Sequence, residues 1–249
     1  MFMFDVGRAH VLDTYLTPIT YRGVGVRLGY EHSQVTKFAP SAWLRQLAVD
    51  IEYNPARNAA KNNTMHDATL QARFGMMRRW EGLFHPNLQL MVGPMTQLRG
   101  GGIYNGANSN NVVSVKAHWA VGAQGMAIWK THWGAKPLSF RYNAALPIVG
   151  VFFSPEYDES YYEIYLGNHK HLAHCGWWGN RFDLTQSLCA DLRLGGTILR
   201  IGYRNRLERS WVNHLNTHIT THSFVIGIGG EFFTRGPHYN DKAPVKSVY

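Results

Sequence analysis

The stretch from Asn180 to Glu208 alternates apolar and polar residues on both sides of a Leu194-Gly195-Gly196 turn. An alternation of period two places one set of side chains on each face of a β-strand. A Gly-Gly pair between two such runs is typical of a tight hairpin. The sequence therefore predicts two antiparallel strands here, each with one apolar and one polar face.

The polar face of this hairpin carries charges of both signs, and no neighbouring stretch predicts an amphipathic helix that would cover the apolar face. A water-soluble sandwich buries its apolar faces between two sheets. A membrane barrel instead turns apolar residues to lipid and polar residues to the lumen, in segments of about ten residues. The hairpin alone is compatible with both architectures, so the rest of the chain has to distinguish them.

The same alternation recurs along most of the chain and predicts seven further strands. They lie at about 21–32, 43–53, 67–76, 87–99, 113–124, 138–148 and 218–232. A phase slip near Gly125-Met126 predicts a β-bulge. A tenth strand is needed to bring the N-terminus to the side on which the last strand ends. Residues 2–12 are the candidate, with a piece of 154–180 as the alternative.

The links between these segments differ in length. Short links are predicted near 81–86, 132–136 and 194–196, and long ones near 55–64, 100–111, 154–180 and 206–216. Short periplasmic turns alternating with long extracellular loops are typical of bacterial outer-membrane barrels. Tryptophans near predicted strand ends fit the aromatic girdles of the membrane interfaces; they are Trp43, Trp80, Trp119, Trp129 and Trp133.

We therefore predict an all-β fold, an antiparallel up-and-down transmembrane β-barrel of about ten strands with a side-chain-filled lumen. Residues 1–233 form the barrel and residues 234–249 a C-terminal periplasmic tail. The predicted location is the outer membrane of a Gram-negative bacterium. Because residues 1–5 lack the features of a signal peptide, this interpretation requires that the numbering begin after processing or truncation.

Composition narrows the classes of protein further. No run of 18 apolar residues occurs, which excludes a transmembrane helix. The formal net charge of +9 favours an acidic partner, and no nucleic-acid motif accompanies it. Outer-membrane lipids, with lipopolysaccharide phosphates held by basic loops and girdle Arg and Lys, are the predicted partners. Cys175 and Cys189 could form one disulfide or remain two thiols.

Small and charged residues share the inward parity, which favours a narrow lumen filled by side chains. The predicted lumen charge network consists of Arg27, Glu31, Asp50, Glu52, Asp67, Arg73, Arg141, Asp183, Asp191, Arg193, Arg200 and Arg204, with Arg79 as a further inward cation. Because an unpaired charge away from water is costly, these side chains are expected to pair across the lumen. A salt-bridged plug is the favoured interpretation, and a selective path for a small solute is the alternative.

Known enzyme barrels have side-chain arrangements that this sequence lacks. A lipid-deacylating barrel needs His and Ser on one wall, whereas His222 and Ser223 are adjacent and point to opposite faces. The Asp-x-His element of ten-stranded surface proteases does not occur. We therefore predict no enzyme, no catalytic residue and no cofactor.

One cluster contains ligand types that suit a transition metal, namely His169, His171, His174 and Cys175. Its spacing matches no closed zinc motif, and a histidine-rich polar loop in a histidine-rich protein explains it equally well. We predict no metal site.

Motifs in five places carry a family resemblance. They are 7–18 (GRAHVLDTYLTP), 103–105 (IYN) with the asparagines of 108–111, 125–128 (GMAI), 153–157 (FSPEY) and 160–164 (SYYEI). These motifs resemble an uncharacterised family of Bacteroidetes outer-membrane proteins, a DUF3316-like domain of unknown function. The resemblance spans nearly the whole chain, implies an outer-membrane location and supports a barrel. It supplies no catalytic residues. In the predicted topology, residues 12–16 of the first motif form a surface loop.

The filled lumen, the long loops and the missing active site together favour a non-enzymatic role. We expect a structural or accessory subunit of a larger outer-membrane protein complex. A narrow solute channel is the first alternative, and a lipid-modifying outer-membrane enzyme is the second.

Overall fold

The computed structural model describes residues 1–39, 41–108, 111–157, 159–167 and 170–230. Within these ranges the chain forms eleven strands and one short helix. They are β1 (Phe2–Asp13), β2 (Thr17–Val35), β3 (Trp43–Arg57), β4 (Thr64–Glu81), β5 (Leu88–Asn105), β6 (Val113–Trp133), β7 (Lys136–Phe153), α1 (Tyr161–Tyr165), β8 (Ala173–Trp177), β9 (Arg181–Leu194), β10 (Thr197–Val212) and β11 (Leu215–Gly230). No helix in the described ranges is long and apolar enough to cross a membrane.

Ten of the strands form a closed antiparallel barrel. Neighbours in the chain pair with one another, β7 pairs with β9, and β1 closes the cycle by pairing with β11 from Phe2 opposite Ile228 to Asp13 opposite Thr217. Closure leaves the wall without exposed strand edges, which would otherwise pair with other chains. The prediction of an all-β, up-and-down barrel of about ten strands is confirmed, and β1 is its first strand.

Strand β8 completes one part of the wall. β9 pairs with residues 138–145 of β7, and β8 pairs with residues 149–153 farther along that strand. Between the two, the indole N–H of Trp178 donates a hydrogen bond to the Pro147 carbonyl at 3.1 Å. Backbone groups that β9 leaves unpaired on this edge therefore find partners within the 154–180 segment.

The two ends of the barrel differ in their links. One end, here called the turn end, carries 36–42, 82–87, 134–135 and 195–196, together with the start of β1 and the end of β11. The other, here called the loop end, carries 14–16, 58–63, 106–112, 154–180 and 213–214. The 154–180 segment contains α1 and β8, so the largest connection lies at the loop end.

The wall has an apolar outside and a polar inside. Large apolar side chains at outward positions are exposed, for example Leu28 at 62%, Leu98 at 60% and Ile226 at 53%. Inward positions of the wall carry buried charged side chains such as Arg27, Arg99 and Asp5. This arrangement is the reverse of a water-soluble sandwich, in which the apolar faces are covered.

Two apolar clusters lie towards the two ends of the lumen. The loop-end cluster consists of Val11, Tyr15, Leu16, Tyr21, Ala56, Met65, Ile103, Leu215 and Ile219. The turn-end cluster consists of Leu44, Met77, Met91, Met126 and Ile128. Strand alternation alone does not reveal these clusters, because apolar residues occupy inward-facing positions at both ends of the barrel. Buried charged side chains such as Arg27, Glu52 and Arg204 lie between the two clusters.

Two local predictions were wrong. The long link expected at 206–216 is a two-residue turn, because β10 continues to Val212 and β11 begins at Leu215. Asn213 and His214 both have positive φ, 53° and 59°, as a tight hairpin turn requires. The stretch 206–212 was predicted as a loop because it is rich in polar residues, and several of these residues face the lumen.

The predicted bulge at Gly125-Met126 is absent from that position. Met126 and Ile128 keep the inward parity and join the turn-end cluster, which produced the apparent slip in the pattern. The irregularity lies instead where Val121 pairs with Val149 and Gly122 with Pro147, which leaves Ile148 as the extra residue of β7. The predicted tail at 234–249 lies outside the described residues, and the last described strand ends at Gly230.

Candidate functional site

The first part of the lumen network surrounds Arg27. Its guanidinium lies 3.0 Å from the Asp5 carboxylate on β1 and 2.7 Å from that of Asp50 on β3. Arg204 of β10 approaches the same two carboxylates at 3.5 Å and 3.9 Å. Asp5 and Arg27 are direct partners in the β1–β2 register, so the wall itself places one ion pair and β10 completes the group.

A second group surrounds Glu31 of β2. Arg141 of β7 contacts its carboxylate at 2.9 Å, and Arg200 of β10 lies at 3.7 Å. Arg200 also donates two hydrogen bonds of 2.7 Å to Asp191, its direct partner in the β9–β10 register. A two-point contact of this kind fixes the guanidinium plane as well as its charge.

The third group lies towards the loop end, around Glu208 of β10. Its carboxylate pairs with Arg99 of β5, with Arg181 at 2.8 Å and with Arg206 at 3.3 Å. Arg206 reaches Glu52 of β3 at 2.7 Å, and Glu52 lies 3.8 Å from Arg204. The ion pairs therefore continue from the Arg27 group to the Glu208 group.

The buried charges of the network depend on their ion-pair partners for compensation, because they are shielded from water. Arg141, Arg200, Arg206 and Glu208 are each 2% exposed or less. Removing one partner of a buried ion pair typically costs about 3–5 kcal/mol, because the remaining charge has no compensation. The network consequently joins opposite walls of the barrel and stabilises a closed lumen.

A cavity of about 40 Å³ lies in the lumen beside Arg73, Gln124 and Cys189. The Arg73 Nε and Nη1 atoms and the Gln124 Nε2 atom are buried, and none has a hydrogen-bond partner in the described part of the chain. This volume holds roughly three water molecules, whereas sites for drug-sized ligands measure about 300–1,000 Å³. The cavity is therefore too small to bind a substrate of ordinary size.

The loop end is covered by a segment that we call the cap, residues 155–157 and 159–167. The Tyr15 hydroxyl donates a hydrogen bond to the Glu159 carbonyl at 2.8 Å, and the Tyr15 and Tyr161 rings meet edge to face at 5.9 Å. The backbone N–H of Val115 donates to the Tyr161 hydroxyl at 2.6 Å. Burial raises the pKa of Tyr161 to about 12 and also raises the pKa of Tyr15.

Helix α1 begins with a capping box. The Ser160 hydroxyl accepts a hydrogen bond from the Glu163 N–H, and the Glu163 carboxylate accepts one from the Ser160 N–H at 2.7 Å. Hydrogen bonds donated to this carboxylate by the Ser160 N–H and the Ser160 hydroxyl lower the pKa of Glu163. The helix is a single turn, and it holds Tyr162, Tyr165 and Leu166 exposed on the cap.

The family model described as protein of unknown function, DUF3316, matches residues 1–237. The chain belongs to the DUF3316 family. The family's description names neither an activity nor an organism, so the Bacteroidetes origin implied by the resemblance stays a prediction. No curated protein matches the DUF3316 chain.

Among solved structures, the transport unit of the autotransporter AIDA-I from Escherichia coli is similar to the DUF3316 chain. The two share 9% sequence identity with a TM-score of 0.39. The similarity covers 93% of this chain and 89% of the other.

The residues predicted for the lumen network of this DUF3316 barrel differ in their surroundings. Nine form ion pairs with other described residues, namely Arg27, Glu31, Asp50, Glu52, Arg141, Asp183, Asp191, Arg200 and Arg204. Asp67 is buried and accepts a hydrogen bond from Asn54 at 2.8 Å. Arg73 and Arg193 occupy partly buried inward positions. The additional cation Arg79 contacts Glu81 at 3.0 Å near the turn end.

Sequence reasoning missed several members of the network. They are Asp5, Arg99, Arg181, Arg206 and Glu208, together with the Lys116–Asp13 pair of 2.7 Å near the loop end. Their inward parity was a usable signal, since each lies on a strand whose outward positions are apolar. Arg206 and Glu208 lie where the predicted strand, which extends to Glu208, overlaps the predicted link at 206–216, and they were left out of the predicted network.

The other candidate residues are not part of the ion-pair network. Cys175 is exposed and Cys189 is buried, and both are free thiols. His174 contacts the Ser154 carbonyl at 3.1 Å, and His169 lies outside the described residues. Among the described residues, no group of three or more His, Cys, Asp or Glu side chains could hold a metal ion. His222 is exposed on the outer wall beside Tyr203.

Proposed function

We propose that this chain is an integral outer-membrane β-barrel with a sealed lumen that serves as an accessory subunit of a larger assembly. The exposed apolar residues around the wall support the membrane part of the proposal, because a water-soluble protein rarely exposes such a large apolar surface. A closed barrel is one of two architectures that satisfy every backbone group in lipid. Larger loops at one end fit the extracellular side of a bacterial barrel.

The observation that carries the proposal is the side-chain-filled lumen. Apolar clusters fill part of the loop end and part of the turn end, and ion pairs such as Arg206–Glu52 connect opposite walls of the lumen. A barrel built in this way supplies a stable wall and a fixed outer surface rather than a path for solutes. The proposed role is accordingly non-enzymatic and non-conducting.

The cap supports the subunit part of the proposal. It exposes Tyr157, Tyr162, Tyr165 and Leu166, and the last two are 84% and 65% exposed. Exposed aromatic side chains on a well-anchored element are typical of the sites where protein partners bind. The hydrogen bonds from Tyr15 and Val115 hold the cap against the barrel, so this surface is presented in a defined orientation.

A pull-down of the tagged protein from native outer membranes in mild detergent tests the proposal. We expect a stoichiometric partner that is lost when Tyr162→Ser and Tyr165→Ser are combined. Leu83→Ser with Phe84→Ser is the matched control, because these exposed apolar residues lie at the turn end. Recovery of the wild-type protein as a lone monomer would contradict the subunit role.

The cavity beside Arg73 favours a second candidate, the narrow solute path. Its buried guanidinium and neighbouring amide could line a route for a small anion. The two apolar clusters weigh against this candidate, because such a route would have to pass both of them. Conductance measurements in planar lipid bilayers distinguish the solute path from the sealed subunit.

A further inference from the structure

Cationic side chains gather on one part of the outer wall, towards the loop end. Arg8 and His10 of β1, Arg22 of β2, Arg209 of β10 and His222 of β11 are all exposed. We call these five residues the basic patch. The four strands are consecutive in the barrel wall, in the order β2, β1, β11, β10, so the patch is continuous.

The strand registers place basic side chains side by side. His10 lies directly opposite Arg22, and Arg8 lies directly opposite His222. Side chains that face each other in this way are about 4.5–5.5 Å apart at Cβ. Arg8 and Arg22 are diagonal neighbours across the same pair of strands, about 7–8 Å apart, a separation that one phosphate group can bridge.

No described acidic side chain on these four strands offsets this charge. The acidic residues of the four strands, Asp5, Asp13, Glu31 and Glu208, are buried on the inner side. Arg8, Arg22 and Arg209 form no salt bridge within the described ranges of the chain. An external anion is therefore the group that would compensate the patch.

Two arginines at the turn end have neutral partners on their own part of the wall. Arg45 donates a hydrogen bond to Gln34 at 3.1 Å, and Arg78 lies over the Trp80 ring at 5.5 Å. Within the described ranges, Arg8, Arg22 and Arg209 have no such side-chain partner.

The wall directly below the patch is apolar. Val6, Val24 and Phe224 are exposed on the same strands, next to the patch in the direction of the turn end. A ligand bound here would meet cations with one part and an apolar surface with the other. This combination fits a phosphorylated amphiphile and does not fit a free inorganic anion, which gains nothing from the apolar wall.

We propose that the basic patch binds the phosphate groups of a phosphorylated glycolipid in the outer leaflet, whose acyl chains lie against Val6, Val24 and Phe224. The inference rests on the proposed outer-membrane location. Arg8 and Arg22 hold one phosphate between them, since guanidinium groups bind phosphate oxygens through paired hydrogen bonds. Arg209 extends the same surface for a second charge.

Binding of purified lipid A to the full chain in detergent, followed by native mass spectrometry, tests the inference. We expect Arg8→Gln, Arg22→Gln and Arg209→Gln, combined in one variant, to weaken binding of bisphosphorylated lipid A at least tenfold. Dephosphorylated lipid A should bind the wild type no better than it binds this variant. The matched control combines Arg45→Gln, Arg78→Gln and Lys130→Gln, and its binding should change less than twofold.

Further variants and a competition experiment distinguish the possible outcomes of the lipid-binding test. Replacing the same three arginines by Lys keeps the charge and should preserve most of the binding, which guards against a variant that fails to fold. Displacement of lipid A by inorganic phosphate at equal concentration would show a site for the free anion and overturn the lipid assignment. Unchanged binding by the triple Gln variant would overturn the patch itself.

A separate measurement distinguishes failure of the proposed membrane location from failure of the basic-patch inference. The wild type and the triple Gln variant should both insert into phosphatidylcholine vesicles and become protected from trypsin. If the wild type does not insert, the membrane proposal fails. If both insert and bind lipid A equally, only the inference about the basic patch fails.

Discussion

Arg206 of β10 and Glu52 of β3 form an ion pair of 2.7 Å, although 154 residues separate them in the chain. Three strands, β11, β1 and β2, lie between them in the wall. The pair therefore crosses the lumen. Glu52 also accepts a hydrogen bond from Asn54 at 3.0 Å, but the nearest compensating charge comes from the opposite wall.

This geometry predicts a strong and specific coupling. Arg206→Met removes the closest cation of Glu52 and should lower the free energy of unfolding by about 3–5 kcal/mol. Adding Glu52→Gln removes the uncompensated charge and should restore part of that loss. Urea unfolding in lipid vesicles measures both changes. Arg45→Met on the outer wall is the control, and equal losses in the single and double variants would contradict the coupling.

The outward apolar residues predict a different cost. Leu28→Arg and Ile226→Arg place a cation on the exposed apolar wall. In a bilayer each should lower the free energy of unfolding by about 2–4 kcal/mol, whereas an exposed substitution in water usually changes it by about 0.5 kcal/mol or less. Asn216→Arg, which is exposed near the loop end, is the control. Unfolding from vesicles that shows no loss for Leu28→Arg would contradict a membrane location.

The sequence predicts this wall well because strand alternation depends on local geometry alone. Leu28 and Arg27 could be assigned to opposite faces without knowledge of any partner. The pairing of Arg206 with Glu52 could not be predicted, since it depends on the circumference of the barrel and on which strands face each other. The alternation likewise does not tell whether an inward-facing position is charged or apolar. The apolar, inward-facing Met126 therefore looked like a phase slip in the sequence pattern.

The cap shows a second limit of local patterns. Tyr15 lies in a three-residue link that the sequence places at the surface, yet it is 7% exposed. Its partners, Glu159 and Tyr161, come from a segment about 145 residues later in the chain. Because nothing in the local sequence signals this contact, the burial of residues 15 and 16 appears only once the barrel is closed.

The sealed lumen predicts electrical silence. The wild-type protein in planar lipid bilayers should show no single-channel steps, because ion pairs and two apolar clusters close the lumen. Tyr15→Ala should also be silent, since it opens the loop-end cluster and leaves the Glu31 and Glu208 groups intact. Conductance steps whose size changes in Arg141→Gln or Arg200→Gln would instead favour the narrow solute path.

The Tyr15 hydroxyl predicts how firmly the cap is held. Tyr15→Phe removes the donor to the Glu159 carbonyl and should cost about 1–3 kcal/mol, as for a buried acceptor left without a partner. The cap should then open more often, and trypsin should cleave after the exposed Lys170 at least fivefold faster. Tyr162→Phe is the control because its side chain is exposed. Equal cleavage of the two variants would contradict the role of Tyr15.

Alkaline pH should release the cap through Tyr161. Burial raises the pKa of this phenol to about 12, so the docked cap favours the neutral form. An unperturbed tyrosine titrates near pH 10. The stabilising contribution is therefore complete below about pH 10 and is lost as the pH rises towards 12. Phenolate absorbance in the near ultraviolet should show one tyrosine titrating near 12 that Tyr161→Phe removes. A Tyr162→Phe variant should keep it, and its absence from the wild type would show that the cap does not bury this side chain.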